Sequence, residues 1–272
     1  MADPTEHWHV DIVDGTAVIA YDNPPMNYLT SAGLFELGHA LDEARRAKPT
    51  AMVITGATEN LFITHFSVED ILAGQDKIKE RGPVGNHRAQ LLLERLAELP
   101  QPVIAALNGD TMGFGYELAL ACDFRIAQRG DFRIGLPEVR MGILPGAGGT
   151  QRLTRLIGTA RALDLIMRAR VLTPDEALDQ GLVHQVADDA KAAALNLARE
   201  FASLPPTAVA MAKAVVYGGS DVELHTAQRI ERDGSYRAKL APEASQAMRE
   251  YLAVPLNARR AWIDRRPAGE GA

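Results

Sequence analysis

Asn108-Gly109-Asp110-Thr111-Met112-Gly113-Phe114-Gly115-Tyr116-Glu117-Leu118-Ala119 is the stretch that decides how the surrounding chain is organised. Before it runs Val103-Ile104-Ala105-Ala106-Leu107, short, apolar and partly β-branched, as a buried strand requires. After it runs Leu118-Ala119-Leu120-Ala121-Cys122, an apolar segment suited to a core helix. A strand, a glycine turn and a helix in that order leave the first N–H groups of the helix without intrahelical acceptors. Donors of this kind, aligned with the helix dipole, stabilise negative charge developing on an oxygen. On spacing alone, a plain tight turn ahead of a core helix fits equally well.

A second glutamate, Glu138, follows in Gly135-Leu136-Pro137-Glu138-Val139. Two carboxyl groups on separate elements can share one water or one proton, which is the minimum apparatus for general acid–base chemistry. Other readings of the glycines fare worse. Gly113-Phe114-Gly115 lacks the third glycine of a dinucleotide fingerprint, where Leu118 stands, and no opening βαβ unit precedes it. Gly146-Ala147-Gly148-Gly149-Thr150 lacks the Gly-Lys-Ser/Thr ending of a phosphate loop. No His/Cys/Asp/Glu group has metal-ligand spacing, so no metal is expected.

Outward from the centre, strand and helix signals alternate. Val10–Val13 and Thr16–Tyr21 flank Asp14-Gly15, a hairpin signal. Residues 31–47 carry a helical pattern capped by Thr30 or Ser31, and Ala51–Thr55 is a strand ended by Gly56. Glycine, proline and charge make residues 73–88 a candidate mobile loop, followed by a helix over about 84–99 stopped by Pro100 and Pro102. Phe124–Ala127 and Phe132–Ile134 are short strands. From about residue 146 the pattern is helical, interrupted by one strand at 182–186. The order predicts an α/β body with parallel sheets, and a helical last third packed on that body or on a neighbouring subunit.

Bulk properties narrow the class. The 272 residues carry a formal net charge of −6 with no basic block, which argues against nucleic acid and membrane surfaces as partners. The N-terminus lacks a signal-peptide layout, and no apolar run reaches the roughly 18 residues that span a bilayer. The one cysteine, Cys122, sits in an apolar run and reads as a core residue in a reducing compartment. A cytoplasmic protein is expected.

Asn108-Gly109-x-x-x-Gly113-x-Gly115-x-Glu117-Leu118-Ala119-x-x-Cys122-Asp123, then Pro137-Glu138-x-x-x-Gly142-x-x-Pro145-Gly146-x-Gly148-Gly149-Thr150-Gln151-Arg152-Leu153, resembles the enoyl-CoA hydratase/isomerase (crotonase) family. Asn23-Pro24-Pro25-Met26-Asn27 and Thr173-x-x-Glu176-Ala177-x-x-x-Gly181-Leu182-Val183 extend the resemblance on either side. It implies a crotonase-like spiral of ββα repeats over residues 1–200, and a C-terminal helical trimerisation region over 201–272. It also implies an enoyl-CoA hydratase that adds water syn to a trans-2-enoyl-CoA. The carbonyl-binding N–H groups would be those of Thr64 and Phe114, with Glu117 positioning the water as base and Glu138 donating the proton. Substrate-binding positions would be Pro25, Met26, His65, Phe66, Ser67 and Gly113. No cofactor is implied beyond the CoA of the substrate, and the assembly would be a homotrimer or a hexamer.

The sequence departs from the family pattern around the first donor. A glycine and an aspartate are expected where His65 and Ser67 stand. Bulk at Thr64, His65 and Phe66 would reshape the CoA channel, and Phe114 and Tyr116 would alter the acyl pocket. Ser67 can still cap the next helix, with Asp70 at the third helical position in a partial capping box. His65 is either a loop substitution or an imidazole acting beside the thioester. The alternatives are therefore isomerisation, a hydrolase or carbon–carbon lyase using His65, and a non-catalytic acyl-CoA-binding member.

Overall fold

Asp14 and Gly15 both take positive φ, 49° and 78°, as a two-residue type I′ turn demands. They join β1 (Trp8–Val13) to β2 (Thr16–Tyr21) in an antiparallel hairpin whose last pair is Val13 with Thr16. The structure is a computed structural model and describes residues 6–82 and 87–264.

Helix α1 (Ser31–Arg46) returns the chain past the hairpin, its first turn capped by the Thr30 hydroxyl accepting from Gly33 N–H at 3.0 Å. Parallel strands then accumulate: β3 (Ala51–Gly56), β4 (Val103–Leu107), β6 (Phe124–Gln128) and β9 (Gln185–Ala187). With the hairpin they form a six-stranded sheet in the order β1-β2-β3-β4-β6-β9. Every residue of β2, β3 and β4 is buried, which explains their near-continuous apolar sequence: a parallel sheet is covered on both faces. Alternate residues go to opposite covers. Ile19, Met52, Ile54, Ala105 and Leu107 pack with Leu37 and Leu41 of α1, whereas Val18, Val53, Ile104, Ala106 and Ile126 meet α8 (Ala190–Ala202). The stripe Ala190, Ala194, Ala198 lets α8 lie close to the sheet.

A smaller sheet, β5-β7-β8, is built from two-residue strands at Thr111–Met112, Ile134–Gly135 and Val171–Leu172. Met112 N–H donates to Thr64 C=O at 2.8 Å, and Leu29 bridges Phe66, so the 62–67 segment prolongs this layer. Passing from β4 to β5 and from β6 to β7, the chain steps from one sheet to the other. Helices α4 (Phe114–Ala121) and α5 (Gly149–Ile157) follow, and α6 (Thr159–Met167) and α7 (Pro174–Asp179) flank β8. This is the ββα spiral expected from the resemblance.

Residues 73–81, expected as loop, are helix: α2 (Val68–Arg81) extends through Gly74, and Asp76, Lys77, Lys79 and Glu80 are solvated rather than disruptive. The rest of that expected loop and the start of the following helix include residues 83–86, outside the described residues; α3 (His87–Ala97) comes next. The expected strand at 182–186 is shorter and later, because Val183 N–H and Leu182 N–H both turn back to Ala177 C=O.

Beyond the turn at 203–205 lie α9 (Pro206–Gly219), α10 (Leu224–Leu240), α11 (Pro242–Ala253) and α12 (Arg259–Asp264). Helix α9 is tied to the body by Lys213, which bonds Asp123 at 2.7 Å and Gln101 C=O at 3.0 Å, and by Asp221 just after it, which takes Arg155 at 2.9 Å. The Lys213 and Asp123 side chains are each only 10% exposed. Large apolar side chains on these helices, among them Val216, Tyr236, Leu240, Met248 and Leu252, face outward.

Candidate active site

The 62–64 segment and the first turn of α4 lie against each other at backbone distance. A Cβ on Gly115 would sit 1.9 Å from Ile63 C=O, so only glycine permits this approach. Gly113, ahead of the helix, takes φ 51° and ψ −127° and sends its N–H to Gly135 C=O at 3.0 Å. Two donors remain: among the described residues, the N–H groups of Thr64 and Phe114 meet no acceptor. The two segments that would bind a carbonyl oxygen are thus held side by side.

Neighbouring side chains fix the first donor. The Thr64 hydroxyl donates to Met26 C=O at 2.6 Å, and Asn27 Nδ2 reaches Phe62 C=O, so the 23–27 loop is stitched beneath the 62–64 segment. Pro25 and Met26 are exposed beside it. His65 is half-buried, with its ring stacked on Tyr28 at 4.2 Å and Nδ1 2.8 Å from Phe66 C=O. A carbonyl only accepts, so Nδ1 carries the hydrogen and donates it to Phe66. Phe66 meets Phe114 edge-on at 6.1 Å. Ser67 Oγ accepts from Asp70 N–H at 3.1 Å and caps α2, as expected. The box is partial, as expected: Asp70 turns to Ser31 N–H at 2.6 Å, and Ser67 N–H is bonded to Leu29 C=O.

The two glutamates are wired differently. Glu117, in the first turn of α4 and 3% exposed, has Oε1 accepting from Ala147 N–H and Gly149 N–H, each at 2.8 Å. Gly149 opens α5, so this carboxyl faces the positive end of that helix. The fit admits no side chain, since a Cβ on Gly149 would lie 2.9 Å from Glu117 Oε1. Burial raises the Glu117 pKa, while the two N–H bonds and the Arg152 charge pull it back. Glu138 opens a 3-10 turn (Glu138–Met141) and is 7% exposed, with Oε2 buried and without a partner among the described residues. Desolvation, aided by the Glu117 charge and opposed by its own backbone N–H, pushes Glu138 up to about 7. Its Oε1 is 3.4 Å from where a Cβ on Gly113 would be, and His65 Cβ is 3.5 Å from the same point. Glu138, Gly113 and His65 therefore converge at the mouth of α4.

Chemically, this places an N–H-solvated carboxyl and an unsolvated one around two open backbone donors. The first is suited to bearing charge and the second to holding a proton near neutral pH. Tyr116 does not shape the pocket as expected; it is fully buried and its hydroxyl donates to Leu182 C=O at 3.1 Å. Cys122 is a core residue whose thiol is pushed up to about 12 by burial. Buried Arg125 closes the other end of α4, donating to the carbonyls of Ala119, Cys122 and Leu182. The fold also gathers Glu6, His7 and Glu36, which spacing did not suggest, but Glu36 is already bonded to His7 N–H and Nδ1.

Sequence reasoning missed the 147–149 backbone that cradles Glu117, and Arg152 beside it. The glycines at 146, 148 and 149 were the available signal, because a loop that must approach a side chain closely sheds its Cβ atoms.

The family profile described as enoyl-CoA hydratase/isomerase matches residues 11–252. A Bacillus subtilis protein named "Probable enoyl-CoA hydratase" is 34% identical over 243 residues, 87% of this chain and 92% of the relative. The short-chain-enoyl-CoA hydratase of Clostridium acetobutylicum is 34% identical over 87% of this chain and 90% of its own. Among solved structures, the enoyl-CoA hydratase of Bacillus anthracis superposes with a TM-score of 0.82 at 33% identity, covering 90% of this chain and 96% of that one.

Proposed function

The chain belongs to the enoyl-CoA hydratase/isomerase family, and from that premise we propose that it hydrates trans-2-enoyl-CoA thioesters. The observation that carries the reading is the contrast between Glu117, cradled by two N–H groups, and Glu138, buried with a bare oxygen, beside the open donors of Thr64 and Phe114.

The substrate carbonyl oxygen accepts from Thr64 N–H and Phe114 N–H. Glu117 holds a water and takes one of its protons as the water oxygen bonds to Cβ. The π electrons move toward the thioester, and the enolate charge grows on the bound oxygen. Removal of one such donor costs about 3 kcal/mol of transition-state stabilisation. Glu138 then delivers its proton to Cα on the same face, giving syn addition of H and OH. Transfer of a proton from Glu117 to Glu138 restores the starting state.

Pro25, Met26, Phe66, Ser67 and Gly113 line the approach of the CoA arm. No prosthetic group is required, because CoA arrives with the substrate. The outward apolar side chains of α9–α11 support self-association into a trimer or a dimer of trimers through residues 201–272, with residues 1–200 as the catalytic body. The net charge of −6, with no basic block, weighs against nucleic acid and membrane surfaces as partners, and the cytoplasm is the compartment proposed. His65 stacks on Tyr28 and bonds Phe66 C=O through Nδ1, so Nε2 is the atom through which the hydrolase or lyase alternatives would have to act.

The test is loss of enoyl thioester absorbance with crotonyl-CoA and longer trans-2-enoyl-CoAs. Turnover that falls about 10²-fold in Glu138→Gln, with CoA affinity kept, is the expected result. CoA binding without turnover in the unaltered protein would overturn the reading.

A further inference from the structure

Arg152 occupies a position that helix electrostatics disfavour. It is the fourth residue of α5, and helical side chains lean toward the N-terminus. Its guanidinium folds back over the first turn, where Nη1 donates to Ala147 C=O at 3.0 Å. The group crosses Gly148 so closely that a Cβ there would lie 2.3 Å from Nη1. A cation at this end of a helix opposes the dipole, and Arg152 is also half-buried, which lowers its pKa. An anion close to the guanidinium would offset that cost.

The surrounding charges identify the anion. Glu94 of α3, Glu117 of α4, Tyr217 of α9 and Cys122 after α4 lie within electrostatic reach of the guanidinium. Tyr217 and Cys122 are raised by burial and stay neutral near neutral pH. Glu94 is exposed, so water screens it. Glu117 is buried, and its carboxyl accepts from the N–H of Ala147, the residue whose carbonyl takes Arg152. Among the described residues, the other site charge coupled to Glu117 is Glu138, of the same sign.

We propose that Arg152 is a positioning residue that keeps Glu117 the ionised member of the carboxyl pair, so that the exchangeable proton resides on Glu138. The cation and the paired N–H groups act together. The N–H groups fix where the carboxylate lies, and Arg152 braces the loop that presents them while favouring the charged state. The assignment of base to Glu117 and acid to Glu138 then follows from surroundings rather than residue type. This rests on the hydration reading for its catalytic meaning, but its test needs no substrate.

The experiment is an infrared titration of the Glu117 carboxyl in substrate-free full-length protein. A Glu138→Gln background leaves one site carboxyl, and the band is identified by its loss in Glu117→Gln. Arg152→Met and Arg152→Gln should raise the midpoint by about one pH unit, because a nearby cation has been removed. Arg152→Lys should hold it near the parent value, and Glu94→Gln should not move it. The proposal fails if both neutral variants leave the midpoint in place, or if Arg152→Lys shifts it as far as they do. Arg152→Gln keeps a donor for Ala147 C=O, so it supplies the measurement should Arg152→Met not fold. Failure of hydration itself would appear separately, as absent crotonyl-CoA turnover with the midpoint shift intact.

Discussion

Replacing Glu138 by Gln should weaken catalysis and strengthen the fold, and the second effect can be worked from the site. Burial raises this carboxyl from 4.5 to about 7. A group whose folded pKa is raised binds more protons folded than unfolded, so its contribution is fully present below pH 4.5 and lost as pH climbs through 7. At about 1.36 kcal/mol per unit, the loss totals roughly 3 kcal/mol, most of it falling between pH 5 and pH 8. A glutamine has no charge to desolvate, so it escapes that loss. Its amide leaves buried hydrogen-bonding groups unsatisfied at about 1–2 kcal/mol, but this penalty is the same at every pH. The clean quantity is therefore the difference in stability between wild type and Glu138→Gln, followed across pH by chemical denaturation. It should turn by roughly 2–3 kcal/mol in favour of the variant from pH 5 to pH 8. A difference that stays flat would refute the claim that Glu138 is held in a desolvated, proton-retaining pocket, and with it the acid role.

Gly149→Ala brings a Cβ to within 2.9 Å of Glu117 Oε1, against the 3.4 Å or so of ordinary contact, so the carboxylate must withdraw by about 0.5 Å. With its N–H bonds lengthened, Glu117 holds its proton to higher pH, and the acid limb of kcat/KM for crotonyl-CoA should move upward by about one unit; an unmoved limb would count against Glu117 as the base. His65→Ala should lower kcat less than tenfold and leave the pH profile in place, because the ring packs and bonds within its own loop; a loss beyond about 10² would restore an acid–base role for the imidazole. Arg125→Met strands three buried carbonyls at the end of α4 and should reduce unfolding free energy by about 3 kcal/mol or more in urea titrations.

The parts of the molecule most legible in sequence are those where local chemistry and tertiary demand agree. Asp14-Gly15 needed positive φ at both residues and obtained it, and the apolar runs at 51–56 and 103–107 became strands covered on both faces. The central motif exposed the glycine turn and both glutamates. What stayed hidden depends on partners distant in the chain. Strands of two residues, such as Thr111–Met112, have no periodicity to detect and exist because Thr64 and Arg133 supply their bonds. Glu117 is cradled by a backbone some 30 positions away, which spacing cannot announce. The segment at 73–81 misled because charge and glycine are equally compatible with a solvated helix, where one Gly costs only about 1 kcal/mol. Tyr116 looked like a pocket residue by neighbourhood, yet α4 turns it into the core.

The ion pair between Lys213 and Asp123 bears on how this chain can be cut, fused or permuted. Asp123 already accepts from Val103 N–H at 2.7 Å through Oδ2, and its Oδ1 is buried with no partner among the described residues. A polypeptide shortened at the turn after α8 would lose both the counter-ion of Asp123 and the helix that covers it, opening that side of the body to water. Truncation there would produce not a leaner enzyme but a weakened one. A split or circularly permuted version keeps the buried pair only if α9 stays docked on the body, and the exposed bond of Asp221 to Arg155 adds little to that.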